Sequence, residues 1–126
     1  MDKLNLEGTE DTPTIVLDSE NNHFEISGRS LPEDSAEFYQ PVLDWLNIYA
    51  ANPNPQTHFT FKMDYFNTAS SKLLLDVLSK LEDLNGDGHD VKVLWFYQED
   101  DPDMEDAGEE YQDLIEVPFE LKTFSV

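Results

Sequence analysis

The sequence predicts an α/β fold: a small mixed sheet of four to five strands with about three helices, in the order β-β-α-β-α-β-α-β. Three observations predict it. Residues 58–66 alternate in period two, with Phe59, Phe61, Met63 and Tyr65 set against His58, Thr60, Lys62 and Asp64. Residues 72–84 then switch to helical spacing, with Leu74, Val77, Leu78 and Leu81 on one stripe. Val91–Tyr97 follows as a nearly unbroken apolar run, the pattern of a central strand covered on both faces. Strands alternating with helices of this length close into one sheet through right-handed crossovers.

The elements follow in order. Residues 1–12 are polar, lack periodicity and read as a flexible N-terminal segment ahead of one domain over 13–126. Thr14–Leu17 and His23–Ser27 flank the turn cluster Asp18-Ser19-Glu20-Asn21-Asn22 and predict a hairpin ended by Gly28. Leu31-Pro32-Glu33-Asp34-Ser35 is a helix start, with acids placed to meet the positive end of the dipole. Because Pro41 interrupts the stripe of Phe38, Val42, Trp45, Leu46 and Tyr49, an opening turn over 35–39 and a main helix over 41–50 are expected. Asn52-Pro53-Asn54-Pro55 stops it. The helix after residue 72 ends at Asn85-Gly86-Asp87-Gly88. A thinner helix over 102–115 is built on Met104, Ala107, Tyr111, Leu114 and Ile115 and weakened by Gly108. Val117–Phe124 is the last strand, with Pro118 at its start or on an edge. Trp45 and Trp95 are expected in the core, and Phe96 on the strand face opposite Trp95 and Tyr97.

Composition narrows the function. The 126 residues carry 28 acids against 7 Lys and Arg, a formal net charge of −21. Binding to a nucleic acid or an anionic membrane requires cations, so neither is expected as a partner. A basic protein surface fits, unless the acids serve only solubility or a salty environment. The acids are uneven: eleven fall between Gln98 and Glu120, where no Lys or Arg occurs. The N-terminus has no signal-peptide pattern and no apolar run approaches a membrane span, so a cytoplasmic location is expected. With no cysteine, thiolate chemistry and Cys-built metal sites are excluded. His23, His58 and His89 are scattered, no phosphate loop or GxSxG is present, and the chain does not read as an enzyme or as needing a cofactor or metal. Asp83–Gly88 opens like a calcium loop, but Leu94 stands where the bidentate Glu belongs, so the segment is a helix stop.

Two segments carry candidate chemistry. Asn67-Thr68-Ala69-Ser70-Ser71-Lys72 lies where a strand passes into a helix, the end of an open α/β sheet at which sites collect. Asn67 or Thr68 can cap the helix. A phosphate on Thr68 would also sit near free N–H groups and the positive dipole end, with Lys72 one turn along. The second segment, Glu99, Asp100, Asp101 and Asp103, follows the last apolar strand and belongs at the same end of the sheet. It reads as a docking face, as a solvated helix cap, or as oxygen ligands for Mg²⁺ brought with a nucleotide by a kinase.

Several blocks go beyond pattern: Gly28-Arg29-Ser30-Leu31-Pro32-Glu33, Phe38-Tyr39-Gln40-Pro41, Trp45-Leu46, Tyr65–Lys72, Trp95–Asp101, Gly108-Glu109-Glu110 and Pro118-Phe119. In this order, over roughly residues 8–122, they resemble the SiaC family of bacterial biofilm-regulation phosphoproteins. The resemblance implies a fold similar to the STAS domains of anti-sigma-factor antagonists and a non-enzymatic partner-switching role. It implies a cognate protein kinase that phosphorylates the threonine of the family's Asn-Thr-Ser-Ser stretch, which falls on Thr68, and a phosphatase of the protein phosphatase 2C type that removes the group. The unphosphorylated form would bind and activate a diguanylate cyclase, raising cyclic di-GMP and promoting biofilm. Asn67, Ser70, Ser71 and Lys72 fall on the rest of that motif, and the acids from Glu99 fall on the family's acidic block. Ala69 departs from the usual Ser, and the central strand reads Trp-Phe-Tyr. Without a phosphorylation cycle, the same surface would suit an acidic inhibitor or scaffold for a basic partner.

Overall fold

The computed structural model describes residues 1–125; the last residue of the expected domain range, 126, lies outside them. Six strands and three helices follow in the order β1 (Leu4–Leu6), β2 (Thr14–Asp18), β3 (His23–Ser30), α1 (Ser35–Tyr49), β4 (Gln56–Phe66), α2 (Thr68–Gly86), β5 (Asp90–Gln98), α3 (Pro102–Leu114) and β6 (Phe119–Phe124). All six strands form one sheet in sequence order. The β1–β2 and β2–β3 pairs are antiparallel, and the pairs from β3 to β6 are parallel. The mixed sheet with three helices is the expected class.

Four details differ from expectation. The strand β1 lies in the segment expected to be flexible. Leu4 and Leu6 pair with Leu17 and Ile15, and the Trp45 indole donates to the Asp2 carbonyl at 2.8 Å. Three residues are too few to display a period, and tertiary contact supplies the order. Helix α1 runs unbroken through Pro41. The carbonyl left without its donor belongs to Glu37, which like Pro41 is exposed, so water can satisfy it and the ring meets no packed neighbour. Asp34 caps this helix, accepting from the Glu37 N–H at 3.1 Å. Helix α2 begins at Thr68, four residues before the helical spacing read from residue 72, and ends at Gly86 inside the calcium-loop look-alike.

The fourth difference concerns β5. All crossovers advance along the sheet in one direction, which with right-handed connections puts α1, α2 and α3 on a single face. On that face Ile15, Leu17, Phe24, Ile26, Phe59, Phe61, Val93 and Trp95 are buried, with aromatic rings running from Trp45 and Tyr49 through Phe24 to Trp95 and Tyr111. The alternate residues Leu94 and Phe96 remain half-exposed. The apolar run of β5 is therefore covered on one side only. At the start of the sheet Asn22 adopts φ 53°, a left-handed turn position that Asn tolerates, and Asp18 accepts from the Asn21 side chain at 2.7 Å.

Candidate functional site

The parallel strands β3, β4 and β5 all deliver their carboxyl ends to one rim. There the chain passes from Ser30 to α1, from Phe66 to α2 and from Gln98 to α3. Strands β4 and β5 are direct neighbours, so Thr68 and the Glu99–Asp101 turn leave the same end of adjacent strands. That juxtaposition was expected from the sequence.

Asn67 is the cap of α2. Its backbone is extended, its side-chain oxygen accepts from the Ser70 N–H at 2.8 Å, and its own N–H donates to the Ser30 carbonyl. Thr68 is thereby released from capping and stands exposed at the first helical position, beside exposed Ala69. The first turn of α2 holds no acidic residue, whereas α1 carries Glu37 there and α3 carries Asp103 and Glu105. In a chain this acidic, the positive end of α2 is left uncompensated beside a free hydroxyl.

The other two hydroxyls of the motif differ in kind. Ser70 is fully buried. The Ser30 hydroxyl donates to Ser70 Oγ at 2.9 Å, and Ser70 Oγ donates to the Ser30 carbonyl at 2.9 Å. Tyr39 completes the chain through its hydroxyl, 2.6 Å from Ser30 Oγ, and Ser35 Oγ lies 3.5 Å from Ser70 Oγ. With Ser30 Oγ donating onward, the Tyr39 phenol is the donor to it. This chain ties β3, α1 and the first turn of α2 together and holds Thr68 outward. Ser71 is half-buried, and its hydroxyl donates back to the Thr68 carbonyl at 2.7 Å. From α3, the Tyr111 hydroxyl donates to the Ser71 carbonyl at 2.8 Å.

Ser30, Ser35, Tyr39 and Tyr111 escaped sequence reasoning. None left a local trace: Ser30 lies beyond the strand expected to end at Ser27, and its partners come from α1 and α2. Burial pushes the Tyr39 phenol up to about 12 from an ordinary 10, and raises Tyr111 as well. The unfolded chain therefore loses the Tyr39 proton first as pH rises. Stability from this residue is intact below pH ~10 and is lost as pH climbs towards 12, by more than ~2 kcal/mol. A circular-dichroism series in denaturant across that window should record the fall, and Tyr39→Phe should reduce it to the part that Tyr111 contributes, while costing about 1 kcal/mol at neutral pH through the lost hydrogen bond.

Lys72 is exposed, one turn beyond Thr68. It lines a groove between α2 and α3 of about 280 Å³, with Phe66, Leu75, Tyr111 and Leu114 forming the apolar wall and Glu110 on the far side. Leu114 is 65% exposed there, leaving an apolar side chain at the groove's edge.

The acidic segment divides. Asp101 caps α3, accepting from the Met104 N–H at 3.1 Å, and Asp103 stands in its first turn. Those two serve the helix dipole. Glu99 and Asp100 are exposed at the rim. Among the described residues no three His, Cys, Asp or Glu side chains are placed to share one metal ion.

Comparison with known proteins places this arrangement. The model of the SiaC family regulatory phosphoproteins matches residues 6–124. An uncharacterised protein of Pseudomonas aeruginosa (strain UCBPP-PA14) is 29% identical over 122 residues, 97% of each chain. The structure of SiaC of Pseudomonas aeruginosa superposes with a TM-score of 0.89 at 28% identity, over 98% of this chain and 100% of that one. A chain in the crystal structure of the diguanylate cyclase SiaD in complex with its activator SiaC, from the same species, gives 0.90 at 28% identity, over 96% and 99%. The family match spans nearly the whole chain, the fold has its counterpart in the solved SiaC structures, and this protein belongs to the SiaC family of regulatory phosphoproteins.

Proposed function

We propose that this protein is a cytoplasmic, non-enzymatic partner-switching adaptor whose state is set by one phosphate on Thr68. The observation that carries the reading is the pairing of an exposed Thr68 hydroxyl with a helix N-terminus free of acids, directly above the buried Ser70 anchor. A cognate protein kinase adds the phosphate and a PP2C-type phosphatase removes it. The added charge of about −1.5 to −2 meets the free Thr68 and Ala69 N–H groups, with Lys72 within reach one turn along. The unphosphorylated form binds and activates a diguanylate cyclase, as the SiaC of the Pseudomonas complex is said to activate SiaD. The α2–α3 groove beside Lys72 and the exposed Leu114 supply the apolar part of that contact.

The test is activation of the cognate cyclase. The unmodified protein should raise cyclic di-GMP synthesis, and the phosphorylated protein and Thr68→Glu should bind at least about tenfold more weakly in calorimetry, a difference of ~1.4 kcal/mol. Equal activation by all three forms would sink the switch and leave an acidic scaffold indifferent to phosphate.

A further inference from the structure

Lys72 belongs to two places at once. It lies one turn along α2 from Thr68, and it lines the groove between α2 and α3. In a helix the Cα–Cβ bond tilts towards the N-terminus, and residues four apart share a face with their Cβ atoms ~5–6 Å apart. The exposed Lys72 side chain therefore leans over the turn that begins with Thr68. It makes no ion pair among the described residues. One unpaired cation thus stands between the phosphoacceptor and the groove, in a chain of 28 acids against 7 Lys and Arg.

The two walls of the groove differ in charge. On α3, Asp106, Glu110 and Asp113 are exposed and repeat at helical spacing, one residue before the groove stripe of Ala107, Tyr111 and Leu114. Helix α3 holds no Lys or Arg, so that wall is negative along its length. On α2, Lys72 stands at the Thr68 end, beside apolar Leu75, and the half-buried Asp76 lies one turn further on. Among the described residues Lys72 is the one basic side chain that lines the groove. A partner segment that complements both walls sets its apolar side chains in the groove, its cations along α3 and a carboxylate on Lys72.

The sign of the phosphate effect turns on that cation. Negative charge added at the rim would by itself strengthen the hold on the cationic side of such a segment. A phosphate that weakens binding has to act where the groove is positive. Lysine is a point charge on a flexible stem, and a group of charge about −1.5 to −2 four residues back competes for it directly. With Lys72 turned to the phosphate, the Thr68 end of the groove changes from positive to negative. The partner carboxylate then meets a like charge, while the α3 wall is unchanged.

We propose that Lys72 is the residue through which the phosphate on Thr68 releases the partner: it holds a carboxylate of the partner segment while Thr68 is unmodified, and turns to the phosphate once that is added. This rests on the partner switch proposed for Thr68. The test uses the full chain with phosphothreonine genetically encoded at position 68, which needs no kinase, in the parent, in Lys72→Gln and Lys72→Arg, and in Lys80→Gln two turns further along α2 as a control. Phosphorus NMR of the protein alone reads the first contact. The second phosphate pKa, ordinarily about 6, should lie lower in the parent and in Lys80→Gln than in Lys72→Gln. Calorimetry against the cognate cyclase reads the second. The phosphate should weaken binding about tenfold in the parent, Lys72→Arg and Lys80→Gln, but about threefold or less in Lys72→Gln, whose unmodified form should already bind more weakly than the parent. A phosphate pKa indifferent to Lys72→Gln, or a tenfold loss that persists in that variant as a steric block would give, overturns the role of Lys72 and leaves the switch standing. Equal binding by both forms of the parent overturns the switch and the role of Lys72 together.

Discussion

Thr68→Ala should take up no phosphate from the cognate kinase and ATP, whereas the unaltered protein should gain the mass of one phosphoryl group and Ser70→Ala should gain the same. The contrast follows from access. Transfer requires the acceptor oxygen in line with the donor phosphate, and hydrogen-bond reach between that oxygen and a base on the kinase. Thr68 offers its oxygen to solvent at the first position of α2. Ser70, two residues on, has no exposed surface, and its oxygen is engaged by both the hydroxyl and the carbonyl of Ser30. Reaching it would require unwinding the start of α2. Ser71 is intermediate, its proton committed to the Thr68 carbonyl. Intact-mass spectrometry separates the cases. A full phosphoryl gain in Thr68→Ala, or its loss in a folded Ser70→Ala, would move the acceptor away from Thr68. Ser70→Ala should still cost about 1–3 kcal/mol in denaturant unfolding, because the buried Ser30 hydroxyl loses its acceptor and the Ser30 carbonyl keeps only the Asn67 N–H as donor.

What the sequence could reveal here followed from period and chemistry, and what it hid followed from long-range contact. The alternation from His58 and the stripe from Leu74 locate β4 and α2, because each buries one face and water sorts the residues accordingly. Asn67 was readable as one of two caps, since only a short polar side chain reaches back to the N–H three residues ahead. Leu4–Leu6 was hidden because a three-residue strand holds too few residues to show alternation. Pro41 misled because its penalty depends on whether the orphaned carbonyl can meet water, and that is a property of the packed helix. The Ser30–Ser70 chain joins residues 40 apart, and nothing local distinguishes a buried serine from an exposed one. Apolar density along β5 read as two-sided burial, yet Leu94 and Phe96 lie half-open among lysine stems. The same apolar pattern serves a strand covered on both faces and a strand covered on one.

Gly108 and Gly86 form a matched pair in which one substitution should have opposite signs. In an exposed helix, Gly→Ala gains up to about 1 kcal/mol, because Gly gives up the most backbone freedom on folding. Gly86, in the last turn of α2, has open space where a Cβ would go, and Gly86→Ala should realise part of that gain. At Gly108, inside α3, an added Cβ would stand 2.5 Å from Trp95 Cδ1, 2.7 Å from Trp95 Nε1 and 2.9 Å from Leu121 Cδ2. The leucine methyl can rotate aside. The indole cannot: it is fully buried, its Nε1 donates to the Met104 carbonyl at 3.0 Å, and its rings lie 5.6 Å from Phe61 and 5.4 Å from Tyr111. Overpacking of a filled core costs about 1–3 kcal/mol, which exceeds the propensity gain. Helix α3 should therefore be pushed off the sheet in Gly108→Ala, with a net loss of about 2 kcal/mol and a fall in Tm of roughly 5–10 °C. Thermal unfolding of the two variants beside the parent protein reads the difference directly, and equal Tm values for Gly108→Ala and Gly86→Ala would show that α3 does not need the close approach. The consequence reaches the rim, because Tyr111 on this helix holds the Ser71 carbonyl behind Thr68. A helix that sits against the indole only through a glycine sets how firmly the start of α2 is presented.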